Sequence, residues 1–324
     1  MKLTEKTLLK FAKGVLHYTK DNGYITFYRF GKNQMEYMAN ENYDYGWRNW
    51  AKFSGGITLE FKTDSSFIEF DYKASCSHER ANTVDLYIEK TLHCVYKIGE
   101  NLKGKVRFDL PNGEKTVTIY LPNESIFQIK NFTIDGSYKT VKDTRKKILA
   151  IGDSITQGAG PEFASVSYIN ILNREYKYDI IDQGIGGYRY EAKDLMKIDG
   201  FEPDRILVAL GTNYYDEGIF ESLGYDYEKA VIDFYKKLNE LYPNTKKLVF
   251  TLLYRTRDLD VNRLKWCRNV IEREALKYPN TYVINGKDLM PNDPVTLSDG
   301  IHPSTYGSIM IAKNLINKMR EIKF

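Results

Sequence analysis

Ile148-Leu149-Ala150-Ile151-Gly152-Asp153-Ser154-Ile155-Thr156 is the stretch whose reading decides the fold. Its four apolar residues fit a strand buried on both faces, as in parallel sheets. Gly-Asp-Ser then turns the chain into a helical segment. A strand that ends this way delivers a hydroxyl to the C-terminal edge of the sheet, where open α/β sheets carry their functional residues.

Downstream the pattern repeats. Residues 165–176 read as helix, 179–182 as a short strand and 191–198 as helix, and 205–210 is an apolar strand ending at Gly211. Residues 227–242 place Val231, Phe234, Leu238 and Leu241 on one helical face. Strand 248–253, helix 262–278, strand 281–284 and helix 304–322 complete the series. Such alternation predicts a doubly wound parallel sheet. Upstream, residues 24–135 differ in texture. Ile57 to Lys62, Phe67 to Tyr72, Val84 to Ile88, Val106 to Leu110, Val117 to Leu121 and Phe132 to Ile134 are short, β-branched and aromatic, with turns such as Pro111-Asn112-Gly113 between them. They predict a β-sandwich, jelly-roll-like. The fold class is therefore α/β, with an N-terminal sandwich over 1–142 and a doubly wound domain over 143–324. Lys142 to Lys147 forms a short basic connection.

Composition narrows the function classes. The 324 residues suffice for two cores, and the net charge of +4 is spread with Asp and Glu interleaved, so no basic block points to nucleic acid. No apolar run approaches the roughly 20 residues of a membrane span. Met1 to Lys13 lacks the apolar core and cleavage site of a signal peptide, so a cytoplasmic location is the expectation. Cys76, Cys94 and Cys267 imply neither a disulfide framework nor a zinc site. Gly158-Ala159-Gly160 lacks the Lys-Ser/Thr that completes a phosphate loop. No metal and no cofactor are expected.

Ser154 is a candidate nucleophile, and a serine hydroxyl needs a base. His302 is the only histidine after residue 93. An imidazole, with an ordinary pKa of about 6.5, can take and return a proton at neutral pH. Asp299, three residues earlier, can reach back to the ring Nδ1–H and hold its tautomer. A tetrahedral oxyanion needs fixed donors. The backbone N–H groups of Ser154 and Gly187 and the Asn213 amide fit that need, each following one predicted strand. Taken singly, Gly152-Asp153-Ser154 is also a helix cap, His302 a loop histidine and Asn213 a turn residue. Together they form the parts of an acyl-transfer site.

Four blocks carry a family resemblance. Gly152-Asp153-Ser154-Ile155-Thr156, Gly184-Ile185-Gly186-Gly187, Gly211-Thr212-Asn213 and Asp299-Gly300-Ile301-His302 resemble the SGNH, or GDSL-type, hydrolases over residues 147–324. The resemblance implies Ser154 as nucleophile, His302 as base with Asp299 behind it, and Asn213 together with one glycine of the second block, Gly187 or else Gly184 or Gly186, as oxyanion donors. The chain departs from the family at Tyr214, where Asp is usual, which puts the loop support given by that Asp in question. A sandwich ahead of such a domain is similar to the arrangement in carbohydrate esterase family 2 and related acetyl xylan esterases, and Val84-Asp85-Leu86-Tyr87 resembles a short motif of some of their N-terminal domains. The resemblance implies a serine esterase that removes O-acetyl groups from carbohydrates. Tyr188, Tyr214, Trp47 and Trp50 are candidates for sugar contact, the two tryptophans lying in a polar, loop-like stretch with Tyr45. The same aromatics read equally as packing. Two other readings stand beside this one: an SGNH esterase, lipase or thioesterase for other small acyl esters, and a sugar-binding protein without catalysis. The expected partner is an acetylated carbohydrate or another small acyl ester, with neither nucleic acid nor membrane.

Overall fold

Alternating burial along the early strands builds two facing antiparallel sheets, and continuous burial along the later ones builds a parallel sheet. The computed structural model describes residues 1–75, 83–99, 102–142, 144–176, 178–214 and 226–324, with the Tyr214 side chain outside the description. In chain order the first part carries α1 (Glu5–Phe11), β1 (Ala12–Lys13), β2 (His17–Asp21), β3 (Tyr24–Tyr28), α2 (Lys32–Met38), α3 (Tyr45–Trp50), β4 (Thr58–Thr63), β5 (Phe67–Ser75), β6 (Thr83–Ile88), β7 (Thr91–Lys97), β8 (Lys103–Asp109), β9 (Lys115–Tyr120), β10 (Ile126–Ile134) and β11 (Tyr138–Thr140). The second part carries β12 (Lys147–Gly152), α4 (Ser154–Gln157), α5 (Tyr168–Tyr176), β13 (Asp179–Gly184), β14 (Arg205–Ala209), α6 (Tyr227–Leu241), β15 (Lys246–Phe250), α7 (Val261–Ala275), β16 (Thr281–Ile284) and α8 (Thr305–Glu321). Among the described residues no helix is long and apolar enough to cross a membrane.

One sandwich sheet runs β1-β4-β9-β6-β7, with β11 on β4, and the other runs β2-β3-β10-β5-β8. Side chains on a strand alternate between faces. Ile68, Phe70, Tyr72 and Ala74 of β5 therefore all point inward, where they share one core with Leu59 and Phe61 of β4 and Val117 and Ile119 of β9. The parallel sheet runs β13-β12-β14-β15-β16. The chain moves from β12 to one side and returns to the other, which opens a crevice at the carboxyl ends of these strands. Ile148 and Ala150 face α5 and α8 in one core, whereas Leu149 and Ile151 face α6 and α7 in the other.

Two local expectations fail, for one linked reason. The predicted helix over 191–198 is a single 3-10 turn, Ala192–Asp194. The apolar face near β13 is instead covered by the first part of the chain: Phe30, Met38, Trp47 and Ala51 join Ile181, Ile185, Ile198 and Phe201 in one core. The stretch around Tyr45, Trp47 and Trp50 is accordingly not a loop. It is helix α3, capped by Asp44, whose Oδ1 accepts from the Trp47 amide at 2.9 Å.

Polar contacts lock the two parts together. Arg29 is fully buried. Its Nη1 donates to the carbonyls of Asp182 (2.7 Å) and Gly184 (2.5 Å), its Nε to Phe53 O (2.8 Å) and its Nη2 to Trp50 O (2.9 Å). The Asp182 carboxylate lies 3.8 Å away. Gly56 permits this approach, since a Cβ there would stand 2.6 Å from Asp182 Cβ. The Val84-Asp85-Leu86-Tyr87 motif lies at the same junction: buried Asp85 accepts from the Ser165 amide at 2.7 Å, and Arg174 sits 4.5 Å over the Tyr87 ring.

Arg29→Met should remove the counter-charge of the Asp182 carboxyl and one donor from each of four carbonyl oxygens. Removing one partner of a buried ion pair typically costs about 3–5 kcal/mol. Thermal unfolding should shift down by several degrees, and Arg29→Lys should recover only part of that loss because an ammonium lacks the planar fork. A melting temperature for Arg29→Met within one or two degrees of the parent would show that the junction does not rest on this residue.

Candidate active site

Ser154 opens α4 directly after β12, so the strand aims it at the crevice. Asp153 caps the helix, its Oδ1 accepting from the Ile155 amide at 3.0 Å. Burial pushes the Asp153 carboxyl up to about 7, with that amide opposing the shift.

The loop carrying His302 is closed by its own backbone. The Ser298 amide donates to His302 O at 2.8 Å, and the amides of Thr256 and Arg257 donate to Gly300 O at 2.9 and 3.1 Å. Asp299 Oδ1 accepts from the amides of Ile301 (3.0 Å) and His302 (2.9 Å), which aims Oδ2 at His302 Nδ1, 2.8 Å away. Burial works to raise the Asp299 carboxyl, but the His302 amide, the His302 ring and the Ile301 amide outweigh it and hold it at about 2. His302 Nε2 lies 2.9 Å from Ser154 Oγ. With Nδ1 donating to the carboxylate, Nε2 is the acceptor for the serine O–H.

In the second glycine block two of the amides have protein partners. The Gly184 amide donates to Asp182 Oδ1 and the Gly186 amide to Gln157 Oε1, both at 2.9 Å. Gly187 follows with φ of +69°, a left-handed conformation that favours glycine, and lies on the cavity wall. Asn213 Nδ2 donates to Tyr188 O at 3.0 Å, and an Asn amide has a second N–H for a ligand. Ser154, Gly187, Asn213, Asp299 and His302 all line one cavity of about 600 Å³. A larger hollow of about 790 Å³, lined by Leu3, Tyr18 and Lys130 among others, contains none of them, so chemistry rather than volume singles out the site. Among the described residues no group of His, Cys, Asp and Glu could hold a metal ion.

The aromatic candidates separate. Trp50 lines the cavity and lies against Gly186 and Gly187. Tyr188 does not line it. Its side chain is buried with its hydroxyl on Asp194, which also accepts from Tyr37 and Tyr43. Trp47 is likewise buried, edge-on to Tyr188 with ring centroids 5.0 Å apart. The expectation of sugar contact by Tyr188 and Trp47 is corrected accordingly: their rings are used in the core behind the wall. The Tyr214 side chain lies outside the described residues. The sequence reading missed Phe53, Glu124, Gln157 and Arg257 on the cavity wall. Pro122-Asn123-Glu124 reads only as a turn, and Gln157 only as a helix residue.

Residues 150–308 match the GDSL-like Lipase/Acylhydrolase family. No curated protein matches the chain. Solved structures share the fold over both parts of the molecule. A salicylyl-acyltransferase, SsfX3, from a tetracycline biosynthetic pathway is 17% identical with a TM-score of 0.76, covering 96% of this chain and 94% of its own. An acetyl xylan esterase, Est2A, from the rumen bacterium Butyrivibrio proteoclasticus is 17% identical with a TM-score of 0.62, covering 95% and 98%. A family two carbohydrate esterase from Cellvibrio japonicus is 18% identical with a TM-score of 0.62, covering 96% and 94%. The turn carrying Ser154 and the loop presenting His302 both fall within residues 150–308, the stretch matched by the family. Residues 150–308 are thus similar to the GDSL-like lipase/acylhydrolase family, a match that supports a carboxylic ester hydrolase.

Proposed function

We propose that this protein is a serine esterase that removes O-acetyl groups from carbohydrates, xylan-type oligosaccharides or similar, through an acyl-enzyme on Ser154. The observation that carries this reading is the 2.9 Å contact between His302 Nε2 and Ser154 Oγ, backed by the 2.8 Å contact from Nδ1 to Asp299. His302 takes the hydroxyl proton as Oγ attacks the ester carbonyl. The Ser154 and Gly187 N–H groups and the Asn213 amide receive the oxyanion. Collapse breaks the bond to the sugar oxygen, which leaves with the proton from the imidazolium. Water then attacks the acetyl-enzyme with His302 again as base, releasing acetate and restoring Ser154.

The carbohydrate part rests on the cavity wall. Trp50, with Phe53 and Ile301, supplies an apolar surface, while Glu124, Gln157, Asn213 and Arg257 add polar groups, a mixture that suits a sugar ring. In this reading the N-terminal sandwich, jelly-roll-like and ending near residue 142, supplies the substrate side and residues 143–324 the chemistry. A second reading, an esterase for another small acyl ester, draws on the likeness to a salicylyl-acyltransferase, and substrate choice separates the two. A sugar-binding protein without catalysis has no use for the aligned Ser154, His302 and Asp299.

Ser154→Ala should lower kcat for ester hydrolysis by at least ~10⁴-fold while the melting temperature holds. Asp299→Asn should lower kcat by about 10²–10⁴-fold with little change in KM. Since the Asp299 carboxyl sits at about 2, it remains ionised down to about pH 3, and any loss of rate between pH 8 and 4 should not come from its protonation. The sign for stability follows from a depressed folded pKa. The contribution of Asp299 is complete above the ordinary carboxylate value of ~3.9 and fades as pH falls from ~4 to ~2. The gap in melting temperature between parent and Asp299→Asn should be present at pH 5 and shrink as pH falls below 4. Full turnover in folded Ser154→Ala would refute the nucleophile.

The tryptophans give a separate test. Trp50→Ala should lower kcat/KM on acetylated xylooligosaccharides at least tenfold more than on p-nitrophenyl acetate. Trp47→Ala, a core truncation, should cost about 3–5 kcal/mol of stability. Equal losses on both substrates for Trp50→Ala would assign Trp50 to packing.

A further inference from the structure

Asn213 and His302 stand on separate loops, and one acyl group has to meet both. Asn213 lies on the 3-10 turn Thr212–Tyr214, just beyond β14. His302 lies on the loop that precedes α8. The parallel pairing of β14 with β15 brings the loops that follow these two strands to one edge of the sheet. Arg255, from the loop after β15, reaches both sides of the site.

Arg255 is buried, with 6% of its surface exposed, and does not line the cavity. Its Nη1 donates to the carbonyl of Thr212, the residue before Asn213, at 3.2 Å. Its Nε donates to Arg257 O at 2.8 Å. Arg257 is in turn bound to the histidine loop: its amide donates to Gly300 O at 3.1 Å and its Nη2 to Asp299 O at 2.8 Å. One guanidinium therefore holds the peptide that leads into Asn213 and the segment that carries the Asp299–His302 loop. A planar fork fixes its acceptors relative to each other, which a freely rotating ammonium does not. The bond from Asn213 Nδ2 to Tyr188 O orients the amide group, while Arg255 sets the main chain from which that amide extends.

We infer that Arg255 is a positioning residue for ester hydrolysis, coupling the turn that carries Asn213 to the loop that carries Asp299 and His302. The Asn213 amide is thereby held where charge gathers on the acyl oxygen while His302 faces Ser154. Oxyanion stabilisation comes from donors in place before the reaction, and a displacement of about 1 Å in such a group costs roughly a hundredfold in rate. This inference rests on the reading of Asn213 as an oxyanion donor and adds what sets its position relative to the base.

The test is a double-mutant cycle on p-nitrophenyl acetate, with the parent, Arg255→Lys, Asn213→Ala and the two substitutions combined. Arg255→Lys keeps the charge but not the fork, and should lower kcat by about 10–100-fold while KM changes less than about threefold. Asn213→Ala should lower kcat by about 10²–10³-fold. Because Arg255 acts through Asn213, the losses should not add: Arg255→Lys introduced on top of Asn213→Ala should cost less than about threefold. Arg255→Gln, which keeps a planar donor on a shorter arm, carries the same comparison if Arg255→Lys does not fold. A kcat for Arg255→Lys within about twofold of the parent would overturn the coupling. So would an equal fold-loss with and without Asn213, the outcome of a merely structural role. Full turnover in Asn213→Ala would instead remove Asn213 from the oxyanion site and the coupling with it. Absence of hydrolysis by the parent would sink the esterase reading itself, so the failures are distinguishable.

Discussion

A guanidinium buried without solvent contact joins the two parts of this molecule, and the catalytic edge is built around it. Arg29 satisfies the carbonyls of Asp182 and Gly184 at the end of β13 and those of Trp50 and Phe53 behind the cavity. Burial pushes the Asp182 carboxyl up to about 6, with Arg29 opposing, and lowers Arg29 to about 10, with Asp182 opposing. Each charge thus offsets part of the cost of burying the other. The consequence is geometric. Gly184 leads into Gly186 and Gly187, and Trp50 is set against those same glycines, so one side chain fixes both the oxyanion loop and the aromatic wall.

A second buried group braces the other donor. Asp194 accepts from the hydroxyls of Tyr37, Tyr43 and Tyr188, two of which come from the first part of the chain. Burial raises the Asp194 carboxyl, and the tyrosine hydroxyls work against that shift. Tyr188 in turn presents the carbonyl that orients Asn213. Electrostatic stabilisation of an oxyanion depends on donors that need no rearrangement at the moment of reaction. Here that rigidity comes from residues more than a hundred positions away in sequence. The N-terminal segment therefore supports this edge of the sheet and contributes Trp50, Phe53 and Glu124 to the cavity wall.

What could be read from the sequence follows the range of the interactions. The parallel strands were legible because burial on both faces leaves a continuous apolar run, as in Ile148 to Ile151. The Asp299–His302 pair was legible because a three-residue turn brings the two side chains together by local geometry alone. The partners of the Gly184 and Gly186 amides, which make Gly187 the proposed donor, were not, because Asp182 and Gln157 reach them only in the folded structure. Helix α3 was misread as loop because its apolar residues, Trp47 and Ala51, answer to a core that also draws on β12 and β13. The helix expected at 191–198 gave way to a 3-10 turn for the same reason, since that surface was already covered. Glu124 had no local signature, because only the docking of Asn123 onto Gly158 and Ala164 turns it into the cavity.

The central claim is that Ser154 is made nucleophilic by His302 and Asp299 within this cavity. Incubation with a fluorophosphonate, followed by intact-protein and peptide mass measurement, tests it most directly, because such a reagent is captured by an activated serine and retained. The expected result is one phosphonyl group per chain, on Ser154, with labelling slowed by more than a hundredfold in His302→Ala. Labelling at another serine, or labelling of Ser154 at an undiminished rate without His302, would contradict it.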